Sequence, residues 1–114
     1  MCINEAVTAV SQNAPVITII MNNGVLGMVY QWQTVFYDKR YSQTILNRQT
    51  DFVKVGEGFG VTAFRAETLE EFEDVYQKAM KVDGPVWIDC RIDPLERVLP
   101  MIPAGGTIKD MIIE

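Results

Sequence analysis

Between Pro15 and Met28 the sequence reads PVITIIMNNGVLGM, an apolar run that stops at two asparagines and two spaced glycines and then turns into a helical pattern. The run is rich in β-branched residues and has no polar alternation apart from Thr18, which predicts a strand buried on both faces, as in a parallel sheet. In such sheets ligands sit just beyond the carboxyl ends of the strands, the position that Asn22 to Gly27 occupy. The Asn23 side chain offers a carbonyl oxygen, a hard neutral donor suited to Mg²⁺ or Ca²⁺. Gly24 and Gly27 admit positive φ or a close backbone approach. A helix starting near Leu26 would aim free N–H groups and the positive end of its dipole at the same spot, which favours a phosphate. A metal ion with a diphosphate fits these features together. Taken by itself, Asn-Asn-Gly is more simply a good turn.

Around this stretch the pattern is α/β. Met1 to Asn13 carries Ile3, Ala6, Val7 and Val10 at helical spacing and ends at Asn13-Ala14-Pro15. It starts without a cap, as though the chain were cut into an element. Leu26 to Tyr37 reads as a helix crowded with Met28, Val29, Tyr30, Trp32, Val35 and Phe36, side chains that make a core or wall a pocket for a flat cofactor or small apolar substrate. Asp38 to Thr50 is a polar connection. Asp51 is a good N-cap for Phe52–Phe59 and Gly60 a good residue to end it. Val61–Ala66 is a short strand, and Thr68 with Glu71 forms a capping box for a helix with Leu69, Phe72, Val75, Tyr76, Ala79 and Met80 on one face. Pro85–Ile92 is a second buried strand. From Asp93 onward Pro94, Pro100, Pro103 and Gly105-Gly106 predict an irregular arm, with a short terminal helix over Ile108–Ile113. Parallel strands are expected from this order, with residues 1–95 as a partial domain and residues 96–114 as the arm covering the site.

Composition narrows the chemistry. A chain of 114 residues with net charge −5 and Lys39-Arg40 as its only adjacent basic pair is not a nucleic-acid binder. No apolar stretch is long enough for a membrane span, and the two cysteines, Cys2 and Cys90, read as small core residues in a reducing cytoplasmic setting. There is no histidine. That removes Ser-His-Asp and Cys-His schemes and the commonest general base near neutral pH. Chemistry must come from a cofactor, from carboxylates or from a partner.

The runs Asn22-Asn23-Gly24-Val25-Leu26-Gly27-Met28-Val29, Gln31-Trp32-Gln33, Phe36-Tyr37, Arg40-Tyr41-Ser42, Asp51-Phe52, Gly84-Pro85 and Val98-Leu99-Pro100-Met101 resemble the carboxyl-terminal, diphosphate-binding domain of the acetolactate synthase (acetohydroxyacid synthase) catalytic subunit. The likeness extends from about Glu5 to Ile112. Asn-Asn is general to thiamine-diphosphate enzymes, whereas the Gln-Trp-Gln and Arg-Tyr-Ser runs with the Leu-Pro-Met arm are more specific. The resemblance implies thiamine diphosphate and Mg²⁺ as cofactors, leaves FAD open for the full-length parent, and implies condensation of pyruvate with a second 2-ketoacid in branched-chain amino acid biosynthesis. It places Asn23 and the Val25 carbonyl on the metal, Asn23, Val25, Leu26, Gly27 and Met28 at the cofactor, and Trp32 at the acceptor site and access channel. It also implies a homodimer or tetramer of the full-length subunit and leaves a small regulatory subunit open. In the family the arm shields the site from water, which matters for a reaction that a stray proton would abort.

Two family features have no counterpart in this chain. With 22 residues before Asn23, the upstream Gly-Asp-Gly that brings a metal-binding aspartate is absent, and so is the cofactor-activating glutamate of another domain. The expectation is therefore a fragment that is inactive alone, with no catalytic residue of its own. Tyr30 stands where the family commonly has arginine. Sister activities (pyruvate oxidase, glyoxylate carboligase, sulfoacetaldehyde acetyltransferase) are disfavoured by Trp32 and the Arg-Tyr-Ser run. A non-catalytic interaction module is the alternative of a different class.

Overall fold

In a computed structural model, residues 2–47 and 50–113 are described. They form two compact units: residues 2–23 with 47 and 50–92, and residues 24–46 with 93–113. The first holds α1 (Glu5–Ser11), β1 (Ile17–Asn22), α3 (Phe52–Phe59), β2 (Thr62–Ala66), α4 (Leu69–Ala79) and β3 (Val86–Arg91). The second holds α2 (Gly27–Phe36) and a single 3₁₀ turn, Ile108–Asp110.

The first unit is a three-stranded sheet in the order β1-β3-β2, with both pairings parallel. Its centre is β3. Val86, Trp87, Ile88, Asp89 and Cys90 are all buried, and because successive side chains point to opposite faces, β3 seeds both layers of core. Val86, Ile88 and Cys90 pack with Ala66, Val75 and Ala79 on the α4 face, while Trp87 packs with Ala6 and Val61 on the face of α1 and α3. Burial pushes the Cys90 thiol above its usual range, and the neighbouring Asp89 adds to this, so it is an inert core residue.

The expectation of a strand buried on both faces thus belongs to β3 and not to β1. Lying at the sheet edge, β1 leaves Ile19 and Met21 41% and 63% exposed. Cys2 is likewise exposed rather than in the core. On α4 the buried stripe is narrower than the sequence suggests: Phe72, Val75 and Ala79 face inward, whereas Leu69 and Met80 face out. The capping box there is half formed. Thr68 Oγ1 accepts from the Glu71 N–H, but the Glu71 carboxylate takes the N–H of Glu67, one residue earlier than a full box requires. The terminal helix expected over Ile108–Ile113 is only the 3₁₀ turn, capped by Thr107 and Asp110.

Helix α3 follows its local signals closely. The Asp51 carboxylate accepts from the N–H groups of Val53 and Lys54, and Gly60 closes the helix at φ 87°. Two of its residues are glycines with opposite surroundings. A Cβ at Gly56 would lie 2.9 Å from the Trp87 ring, whereas one at Gly58 would meet nothing within 4 Å. Gly56→Ala is therefore expected to destabilise by about 1–3 kcal/mol through overpacking, while Gly58→Ala gains about 0.5–1 kcal/mol from helix propensity alone. Urea midpoints of the two variants moving in opposite directions would establish that Gly56 is there to let the helix approach the indole.

Candidate functional site

Strand β1 ends in a polar cluster. The Asn22 carbonyl accepts from the Ile92 N–H at 3.2 Å, and its side-chain amide donates to Asp89 Oδ1 at 2.8 Å. The other Asp89 oxygen accepts from Arg65 Nε at 3.3 Å, and an Arg65 terminal nitrogen reaches Asp51 at 2.7 Å. One connected set of bonds therefore links the ends of all three strands to the start of α3. Burial favours the neutral form of Asp51, but the N–H groups of Lys54 and Val53 and the charge of Arg65 outweigh it and hold the carboxyl below its usual range. Asn23, partly buried, is the next residue.

The second unit opens with Gly24 at φ 70°, a conformation that favours glycine, with open space beside its Cα. The backbone is then pinned to a later segment. Leu26 N–H donates to the Thr44 carbonyl at 2.8 Å, Leu46 N–H to the Gly24 carbonyl at 2.9 Å, and Val25 bridges to Ile45. Helix α2 begins at Gly27 with Leu26 in the cap position, and no side chain caps it. The leucine side chain has no acceptor for the N–H groups of a first turn.

The side chains of α2 divide unexpectedly. Its buried residue is the polar Gln31, whereas Met28, Val29, Trp32 and Phe36 are 40–50% exposed. Gln31 Oε1 accepts from the Val98 N–H at 2.8 Å, and its Nε2 donates to the Val98 carbonyl at 3.1 Å. Gln33 does the same for another segment: its Oε1 accepts from the Ser42 N–H and the Thr44 hydroxyl, and its Nε2 donates to the Ser42 carbonyl. Two residues apart on a helix, the two amides point to different sides, so one grips the arm and the other the 42–44 loop. Between them Trp32 lies edge-on to Phe36 at 5.8 Å and helps line an open cavity of about 410 Å³ with Val29, Gln33, Tyr37 and Arg40. Tyr30 stacks on Tyr41 with ring centroids 4.3 Å apart. Hydrogen bonds to Thr34 and then Tyr30 hold the Tyr41 hydroxyl below its usual range, helped by the charges of Lys39 and Arg97.

Residues 1–90 match the family described as thiamine pyrophosphate enzyme, C-terminal TPP binding domain. The chain belongs to this family. Among relatives of this TPP-binding domain, the acetolactate synthase large subunit of Haemophilus influenzae is 39% identical over 99% of this chain and 20% of its own length. That of Corynebacterium glutamicum is 42% identical over 94% of this chain and 18% of its own. The chain thus spans about a fifth of the curated relatives it matches. Among solved structures, the thiamine diphosphate-dependent 4-hydroxybenzoylformate decarboxylase of Rhodococcus jostii RHA1 superimposes with a TM-score of 0.73 at 27% identity, over 80% of this chain and 17% of that one.

Within this TPP-binding domain the residues singled out from sequence fall as follows. Asn23 ends the first of the two segments that make up the first unit; Val25, Leu26, Gly27 and Met28 run from the bridge into the first turn of α2, and Trp32 lies one turn further on. Among the described residues, no three acidic or cysteine side chains cluster as metal ligands, and no helix is long and apolar enough to cross a membrane. The sequence reading missed Gln31, Gln33 and the Asp89–Arg65–Asp51 set. A carboxylate inside the apolar run Val86–Cys90 was the available signal, since a buried charge demands a partner.

Two measurements follow. Gln31→Ala removes both bonds to Val98 and leaves a backbone N–H and carbonyl to find water; amide exchange at Val98 should speed up by about tenfold, a loss of about 1–2 kcal/mol. Unchanged exchange there would mean that something other than Gln31 holds the arm. For Asp51, the lowered folded value means its contribution is fully present above the ordinary carboxylate range near pH 4. That contribution is lost as the pH falls through the folded value. Asp51→Asn keeps a capping side chain but cannot titrate, so between about pH 5 and 2 its urea midpoint should fall less than that of the unsubstituted chain.

Proposed function

We propose that this chain carries the diphosphate- and metal-holding part of an acetolactate synthase large subunit, which joins pyruvate to a second 2-ketoacid with thiamine diphosphate and Mg²⁺. The observation that carries the reading is the first turn of α2, which starts at Gly27 with no side-chain cap from Leu26, three residues after a left-handed Gly24 with open space beside its Cα. Such a turn has backbone N–H donors and a positive dipole end to offer a phosphate. The donors nearest in the chain suit the metal as well. The Asn23 side-chain oxygen and the Val25 carbonyl are hard neutral oxygens, the kind Mg²⁺ takes in a near-octahedral set of about six. Relatives named acetolactate synthase large subunit at 39% and 42% identity support this activity over sister activities.

Bound thiamine diphosphate supplies the electron sink for decarboxylating a 2-ketoacid. The chain's own residues would bind and enclose it. Asn23 and Val25 would hold the metal, the N–H groups of the first turn of α2 would take the diphosphate, and Met28 would lie along the cofactor. Trp32, exposed beside an open cavity, would shape the acceptor site. The arm gripped by Gln31 would keep water out. Glutamate to activate the cofactor and aspartate to complete the metal shell would come from other parts of the enzyme, so the 114-residue chain should form no acetolactate alone. A homodimer or tetramer, a regulatory subunit, FAD and a cytoplasmic setting in which both free cysteines stay reduced belong to the same proposal.

Calorimetry tests it. Titrating the chain with thiamine diphosphate and Mg²⁺ together should release heat that Asn23→Ala abolishes while the far-ultraviolet dichroism stays unchanged. Binding unaltered by Asn23→Ala, or acetolactate formed by the chain without another polypeptide, would overturn the reading.

A further inference from the structure

The bonds among Asn22, Asp89, Arg65 and Asp51 are more than the proposed site needs for its own ligands, and none of these four is among them. Asp89 is 2% exposed in the central strand. Its two oxygens are divided between an amide at the end of β1 and a guanidinium on β2. In register, Ile20 and Arg65 flank Asp89 on its two sides, and Asn22, two residues on from Ile20, projects to the same face as Asp89. An edge strand paired on one side has its final residue fixed by one ladder only. Here the Asn22 carbonyl accepts from Ile92 and its side chain is tied to the middle strand. Both attachments precede the residue whose amide is proposed to reach the metal.

We propose that Asp89, itself held by Arg65 and Asp51, is a positioning residue: by gripping the first asparagine of the pair it fixes the direction in which the second presents its side chain. The inference rests on the reading of Asn23 as a metal ligand. An isolated ion pair between Arg65 and Asp89 would serve stability alone. The use of one Asp89 oxygen for Asn22 is what turns the pair toward the site. Groups that orient a metal's ligands change metal affinity by about 10- to 100-fold when removed.

The chemistry allows a reversal. Asn22→Asp sets two carboxylates against each other. In the double variant Asn22→Asp with Asp89→Asn, the amide introduced on β3 donates to the carboxylate introduced at the end of β1, and the oxygen of that amide still accepts from Arg65 Nε. Each bond thus returns with one donor and acceptor exchanged. Two readouts on the chain separate the possibilities: ¹⁵N relaxation at Asn23 and Gly24 without any ligand, and calorimetric affinity for Mg²⁺ with thiamine diphosphate. The expected result is a loosened turn and about tenfold or more weaker binding in Asn22→Asp, with both recovered in the double variant. A turn as rigid in Asn22→Asp as in the unsubstituted chain overturns the proposal, as does a loosened turn with unchanged affinity, or a double variant that stays loosened. If the unsubstituted chain binds nothing, the reading of Asn23 fails and this inference falls with it, an outcome recognisable because the relaxation data still report whether the grip exists.

Discussion

Asp89 is the constraint around which the first unit is arranged. A carboxylate moved out of water into a sheet interior loses hydration worth several kcal/mol, and only well-placed donors restore it. Here the donors come from both neighbouring strands, at 2.8 Å from Asn22 and 3.3 Å from Arg65. Arg65, in turn, is shared with Asp51, which caps α3. The requirement of one buried charge thereby fixes the relative placement of the ends of three strands and a helix start. An all-apolar β3 would pack as well against Ala6 and Val61 but would leave the end of β1 held by its backbone bonds alone.

The second unit solves a different problem. Apart from α2 and one 3₁₀ turn it has no helix or strand among its described residues, so its backbone polar groups need other partners. Side-chain amides supply them. Gln31 imitates a β-ladder for Val98, accepting its N–H and donating to its carbonyl, and Gln33 does the same for Ser42. Within the arm itself, Met101 and Ile112 exchange two backbone bonds at 2.8 and 2.9 Å. Irregular segments are thus held in place by a few discrete bonds rather than by buried apolar area.

What could be read in advance was what local rules govern. The Asp51 cap, the left-handed Gly60 and the Thr68 cap each involve partners within about four residues, and all three are present. Strand identity was legible from composition too. The burial of β1 was not, because exposure depends on which strand lies beside it, and the order β1-β3-β2 puts it at the edge. Cys2 was misplaced for the same kind of reason. The bonds of Gln31 to Val98 and of Asn22 to Asp89 both join residues 67 apart. No periodicity announces such a pair, and only the oddity of a carboxylate in an apolar run pointed toward one of them.

The inverted character of α2 bears on what the helix is for. A helix folded by its own unit ordinarily buries its apolar stripe and leaves glutamine to solvent. In α2 the reverse holds: Gln31 is 5% exposed while Trp32, Met28, Val29 and Phe36 stand 40–50% exposed. Single exposed apolar residues are ordinary, but four on one ten-residue helix leave a patch of the kind that marks a binding surface. Leaving a Trp half in water forgoes part of the transfer free energy that burial would give, roughly 25 cal/mol per Å², so the arrangement is unfavourable for the isolated unit. It becomes favourable where a flat ligand, substrate or neighbouring surface covers those side chains, and the amide grips of Gln31 and Gln33 are what allow the helix to stay fixed without burying them.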